Sequence, residues 1–124
     1  MALPVILPLP PNKTYTNRLQ FQDIFVNATG AVKAAPGHVY SLSCYNDNKE
    51  ARHIQLFNNT AAPVDNDVPL FGFLVLAKSQ IVIGTDFFGD VGGNFTTGIA
   101  YGFSERLNFL ATAPAEHILF IQYL

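Results

Sequence analysis

The chain has 124 residues, 49% of them hydrophobic and only 13% charged, and its net charge is −2. That length predicts one domain able to bury a core without staples, and the scattered Lys and Arg residues exclude a basic stripe for direct nucleic-acid contact. Cys44 stands alone, which excludes an intrachain disulfide, and no apolar run reaches the ~20 residues of a membrane-spanning helix.

Residues 1–11 (MALPVILPLPP) carry four prolines among Leu3, Val5, Ile6, Leu7 and Leu9, with no charged side chain. Proline fixes φ and removes a donor, so this stretch suits neither a helix interior nor a central strand. It reads as an extended arm of about 34 Å at roughly 3.1 Å per residue. A secretory signal would need a basic n-region and an unbroken apolar run, and neither is present. Bare aliphatic side chains are a liability in water, so Leu3, Pro4, Val5, Ile6, Leu7 and Leu9 are the first candidate interface. The organisation expected is an arm over residues 1–16 and a domain over residues 17–124.

Beyond the arm, period-two alternation dominates and predicts strands. Residues 18–27 read as a first strand whose phase slips at Gln22 and Asp23. After a turn at Ala35, Pro36 and Gly37, residues 38–45 place His38, Tyr40, Leu42 and Cys44 on one face. Asn46, Asp47 and Asn48 close that strand, and residues 52–58 form the next with Ile54 and Leu56 inward. Residues 59–68 are a polar, exposed loop.

Residues 69–76 (PLFGFLVL) are apolar on both faces, the pattern of a strand covered from two sides. In a chain this small one side is expected to be a subunit contact, and Phe71, Phe73 and Val75 are the candidates. A strand over residues 80–88 follows, then a glycine-rich hairpin turn over residues 89–94. Residues 95–104 alternate most cleanly: Phe95, Thr97, Ile99, Tyr101 and Phe103 oppose Thr96, Gly98, Ala100, Gly102 and Ser104. The small-residue face permits close approach of another sheet or backbone. Residues 117–124 are the last strand. Seven or eight short strands with regular turn signals predict an all-β, antiparallel β-sandwich or jelly roll with an extended N-terminal arm.

No catalytic constellation emerges from these residues, and the chain reads as a non-enzyme with no cofactor. His38, His53 and His117 lack the spacing of a metal site, and the Asp65–Asp67 and Asp86–Asp90 stretches lack the ligand pattern of a calcium loop. Cys44 lies in phase with apolar neighbours, where a buried, inert thiol is the usual case. The GDVGGN run has no Lys-Ser/Thr after it, so it is no phosphate loop. The sequons at Asn12, Asn27, Asn58 and Asn94 read as turn and strand chemistry.

The succession GHVYSLSCYN, ARHIQLFN, VPLFGFLV, QIVIGTDFF, NFTTGIAYGFS and HILFIQYL resembles a β-sandwich domain of tailed-phage virion proteins. The carrying residues are Phe95, Thr97, Gly98, Ile99 and Ala100, then Tyr123, and the resemblance spans residues 33–124. It implies a capsid decoration (cement) protein, made in the host cytoplasm and carried on the outer surface of the virion. The implied partners are itself, as a homotrimer, and the major capsid protein; neither nucleic acid nor membrane is a direct partner. The alternative is a tail, baseplate or fibre-tip module that adheres to the host, with loop tips at residues 46–48, 58–59 and 65–67 as sugar contacts. A soluble small-ligand carrier is the poorest fit, because it explains neither the arm nor the low charge.

Overall fold

A computed structural model describes residues 27–124. The arm, its candidate contacts Leu3, Pro4, Val5, Ile6, Leu7 and Leu9, the boundary after residue 16 and nearly all of the strand expected over residues 18–27 lie outside the described residues. The strands are β1 (Thr29–Lys33), β2 (Gly37–Asn46), β3 (Arg52–Phe57), β4 (Phe71–Val75), β5 (Ser79–Ile83), β6 (Gly93–Phe95), β7 (Ile99–Ser104) and β8 (His117–Tyr123). Among the described residues one short helix, α1 (Thr85–Phe88), follows β5.

The described chain is all-β, with two antiparallel four-stranded sheets. Sheet A runs β1-β7-β3-β4, and in sheet B β2 pairs β8 on one side and β5 and β6 on the other. Both sheets contribute to one core: Leu42, Cys44, Leu119 and Ile121 from sheet B meet Ile54, Leu56, Ile99, Tyr101 and Phe103 from sheet A. Burying each large apolar side chain contributes roughly 1.5–3 kcal/mol, so this two-sided layer dominates stability. His117 of β8 stacks on Phe103 of β7, ring centroids 4.3 Å apart, and so ties one sheet to the other.

Three expected strands are divided or re-phased, each for a local reason. A register shift between Val39 and Ser41 lets Val39 join Leu42 and Cys44 in the core in place of Tyr40. The stretch 95–104 is not one strand. Phe95 ends β6 in sheet B, and the chain crosses at residues 96–98 to begin β7 in sheet A. Asn58 holds that crossing, its Oδ1 accepting from the amides of Thr97 (2.8 Å) and Gly98 (3.3 Å) while its Nδ2 donates to Thr96 Oγ1 (2.9 Å). The stretch 80–88 also breaks. After Ile83 the chain turns helical, and Phe88 drops against Phe71 in an edge-to-face contact with centroids 5.5 Å apart. The turn packs Phe87 and Phe88 edge-to-face on Phe71 and Phe73.

Candidate interaction surface

The outer face of sheet A carries small residues in β7, and the chain covers it with its own loops. Ala100 and Phe57 form a second, smaller apolar cluster with Leu110 from the connection between β7 and β8. Gln55, projecting outward from β3, holds that connection down: its Nε2 donates to the carbonyls of Arg106 (2.7 Å), Leu107 (3.0 Å) and Phe109 (3.3 Å). Ser104 Oγ accepts from the amides of Arg106 (3.0 Å) and Ala111 (3.1 Å). The β3–β4 loop joins from the other side, through Asn66 N to Leu110 O and Leu110 N to Asp67 O, both 2.8 Å. Asp65 accepts from the Thr112 hydroxyl (2.6 Å) and amide (2.9 Å), and these bonds hold its carboxyl below the usual range. The loop expected to be merely polar and exposed is therefore fastened to its neighbour.

This fastening leaves an apolar strip at the edge of the sheet. Gly72 of β4 faces outward, and Leu107 lies over it: a Cβ at residue 72 would be 3.2 Å from Leu107 Cδ1. In the same phase as Gly72 stand Leu70, Leu74 and Leu76. All four leucines are about half exposed, from 47% at Leu70 to 59% at Leu76. The strand beneath is an edge strand, paired only with β3 among the described residues. His53, the register partner of Leu74, lies alongside, and partial burial lowers its pKa and so favours the neutral imidazole. A half-exposed leucine stripe on a sheet edge is what a docking surface offers: apolar area with little charge to desolvate.

Phe71, Phe73 and Val75 occupy the other phase of β4. Val75 is wholly buried, and Phe71 and Phe73 pack against the core. Their rings are engaged inside the chain, and the more exposed side chains of this run are Leu70, Leu74 and Leu76. Sequence alternation shows two apolar phases but not which one turns inward. The usable signal was the placement of both phenylalanines in one phase and a glycine in the other, since bulk favours the core.

The remaining candidates are dispersed. His38 and His117 sit near opposite ends of β2, and His53 lies in sheet A. Among the described residues no group of three or more His, Cys, Asp or Glu side chains is placed to hold a metal ion. Burial pushes the Cys44 thiol far up, away from the thiolate. Loop residues 46–48 are tied internally, Asn46 Nδ2 donating to the carbonyl of Val75 (3.1 Å) and Asn48 Nδ2 to Glu116 Oε1 (2.7 Å). Asn58 is likewise engaged at the β6–β7 crossing. Compared with protein-family models, curated proteins and solved structures, the chain matches none of them.

Proposed function

We propose that this chain is a structural protein of a tailed-phage virion, a head decoration (cement) protein that sits as a homotrimer on the outer capsid surface and ties capsid subunits together. The observation that carries the reading is the leucine strip Leu70, Leu74, Leu76 and Leu107 on the edge of sheet A, in a chain with so few charges. The sequence resemblance over residues 33–124 supports the same class. Covering a half-exposed leucine contributes about 1 kcal/mol, so one strip gives a weak contact. Three strips on one trimer act together, because docking the first raises the effective concentration of the others to the millimolar range or so. An apolar contact of this kind is also insensitive to salt.

The test is the copy number of the chain in purified particles, measured by quantitative mass spectrometry against the major capsid protein. Copies comparable with the capsid protein are expected. A few copies per particle would assign it to the tail or fibre tip, and absence from particles would overturn the virion reading.

A further inference from the structure

The strand that carries the leucine strip is self-complementary. Residues 70–74 (LFGFL) form a palindrome centred on Gly72, and residues 68–76 carry no charge. A strand that reads alike in both directions matches itself when two copies run antiparallel. With a two-fold axis at Gly72, Leu70 stands opposite Leu74 of the second copy, Phe71 opposite Phe73, and Val68 opposite Leu76. Because the axis passes through a residue, outward side chains meet outward ones and inward meet inward.

The edge is open to such pairing. Among the described residues β4 pairs with β3 alone, over Phe71–Val75 and without a register shift. Proteins usually blunt an exposed edge with a charge, a proline or a bulge, because its unpaired N–H and C=O groups invite another strand. β1, the other edge strand of the sheet, carries Lys33 and a register shift against β7. β4 has no such device between residues 70 and 76; Pro69 lies just outside.

Side chains on both faces of β4 suit a second copy. On the inner face Phe87 packs edge-on against Phe71 and Phe73 yet is 54% exposed. A second β4 in this register sets its Phe73 beside Phe71 and carries that ring cluster across the edge. On the outer face Leu107 lies over Gly72, so the two copies of Leu107 meet near the axis. The uncharged run is bounded by Asp67 at one end and Lys78 at the other. Antiparallel pairing brings the Asp67 end of one copy to the Lys78 end of the other, opposite charges and not like ones.

We propose that β4 pairs antiparallel with β4 of a second copy about a two-fold axis at Gly72, joining two four-stranded sheets into one. Leu70, Leu74 and Leu76 project from the outer face and not along the edge, so pairing merges two leucine strips and leaves them open. The contact is isologous, so it links chains in twos and, between trimers, links one trimer to the next. Five residues of edge fall short of the ~800 Å² per partner of a stable complex, so high local concentration supports the pair. This inference goes beyond the virion reading and does not rest on it.

Disulfide trapping of the full chain at about 1 mM, within the range of effective concentrations in an assembly, tests it. Cys44 is buried and adds little background. Leu70→Cys mixed with Leu74→Cys, both at half-exposed positions that spare the core, is expected to give mainly the mixed disulfide under mild oxidation. Opposed residues lie about 4.5–5.5 Å apart between Cα atoms, within disulfide reach. Two copies of residue 70 are offset by four residues, or roughly 14 Å at about 3.4 Å each. Gly72→Cys should cross-link to itself, and Leu76→Cys should not. Peptide mass spectrometry of the non-reduced dimers reads the pairs. No cross-link between Leu70→Cys and Leu74→Cys, self-disulfides as abundant as the mixed one, or Leu76→Cys dimers at the same yield would each overturn the proposal.

Discussion

Leu110 closes on Gly102 so tightly that a methyl group added at residue 102 would lie 2.8 Å from Leu110 Cδ1 and 3.1 Å from Phe57 Cε1. The small face of β7 thus has an occupant: the chain's own β7–β8 connection. Gly102→Ala overpacks this cluster and is expected to cost about 1–3 kcal/mol, read as a lower denaturant midpoint. Leu110→Ala makes room, so the double variant should be less destabilised than the sum of the two singles. Strict additivity would mean that the loop shifts away without resistance.

Leu74 and Phe73 are neighbours in β4 with opposite duties. Leu74→Lys touches only the exposed strip and should leave stability within about 0.5 kcal/mol while abolishing the proposed trimer formation or particle binding. Phe73→Ala removes an edge-to-face partner of Phe87 and Phe88 and should cost about 3 kcal/mol. Light scattering of the purified variants and denaturant titration separate the two effects. Unchanged assembly and binding in Leu74→Lys would remove the strip from the interface.

Asn58 accepts two backbone amides where the chain crosses from sheet B to sheet A. Asn58→Ala leaves those donors to water or to nothing, and a loss of about 1–2 kcal/mol is expected. Asn58→Asp keeps the acceptor for both amides, and the Thr96 hydroxyl can turn to donate to its second oxygen, so it should lose less. Faster hydrogen exchange at the amides of Thr97 and Gly98 in the alanine variant would locate the effect.

Tyr101 provides a pH response. Burial pushes its phenol up to about 12, because the phenolate is poorly solvated there. The folded value exceeds the unfolded one, so the stabilising difference is fully present below about pH 10 and is lost as pH rises through the folded value. Tyr101→Phe should remove this part of the alkaline loss and flatten the stability profile above about pH 10. Parallel curves for the two proteins would show that the phenol titrates freely in the fold.

Cys44 is wholly buried and its thiol is pushed up by that burial. Thiol reagents should therefore modify the native chain only at the rate of global unfolding, and modify it readily in denaturant. Rapid labelling of the folded protein would contradict the placement of Cys44 in the core.

Much of the secondary structure could be read from local pattern. Ile54 and Leu56 turn inward as their alternation requires, and Ile99, Tyr101 and Phe103 oppose Ala100, Gly102 and Ser104 as expected. Local pattern misleads where a strand changes sheet or ends early. Nothing in FTTGIAYGFS shows that Asn58, some forty residues away, will take the amides of Thr97 and Gly98 and break the ladder. Nor does QIVIGTDFF show that Phe71 and Phe73 wait across the sandwich for Phe87 and Phe88.

Local pattern alone is enough to indicate an all-β chain, the approximate position of most strands and a buried, inert cysteine. These follow from side-chain period, turn residues and polarity, which act over a few residues. Which phase of β4 meets water, what lies over the small face of β7, and the bonding of the two long loops to one another emerge only in the folded chain. Those outcomes depend on contacts between residues far apart in the chain, such as Gln55 with Leu107 and Asp65 with Thr112, and a local pattern carries no record of them.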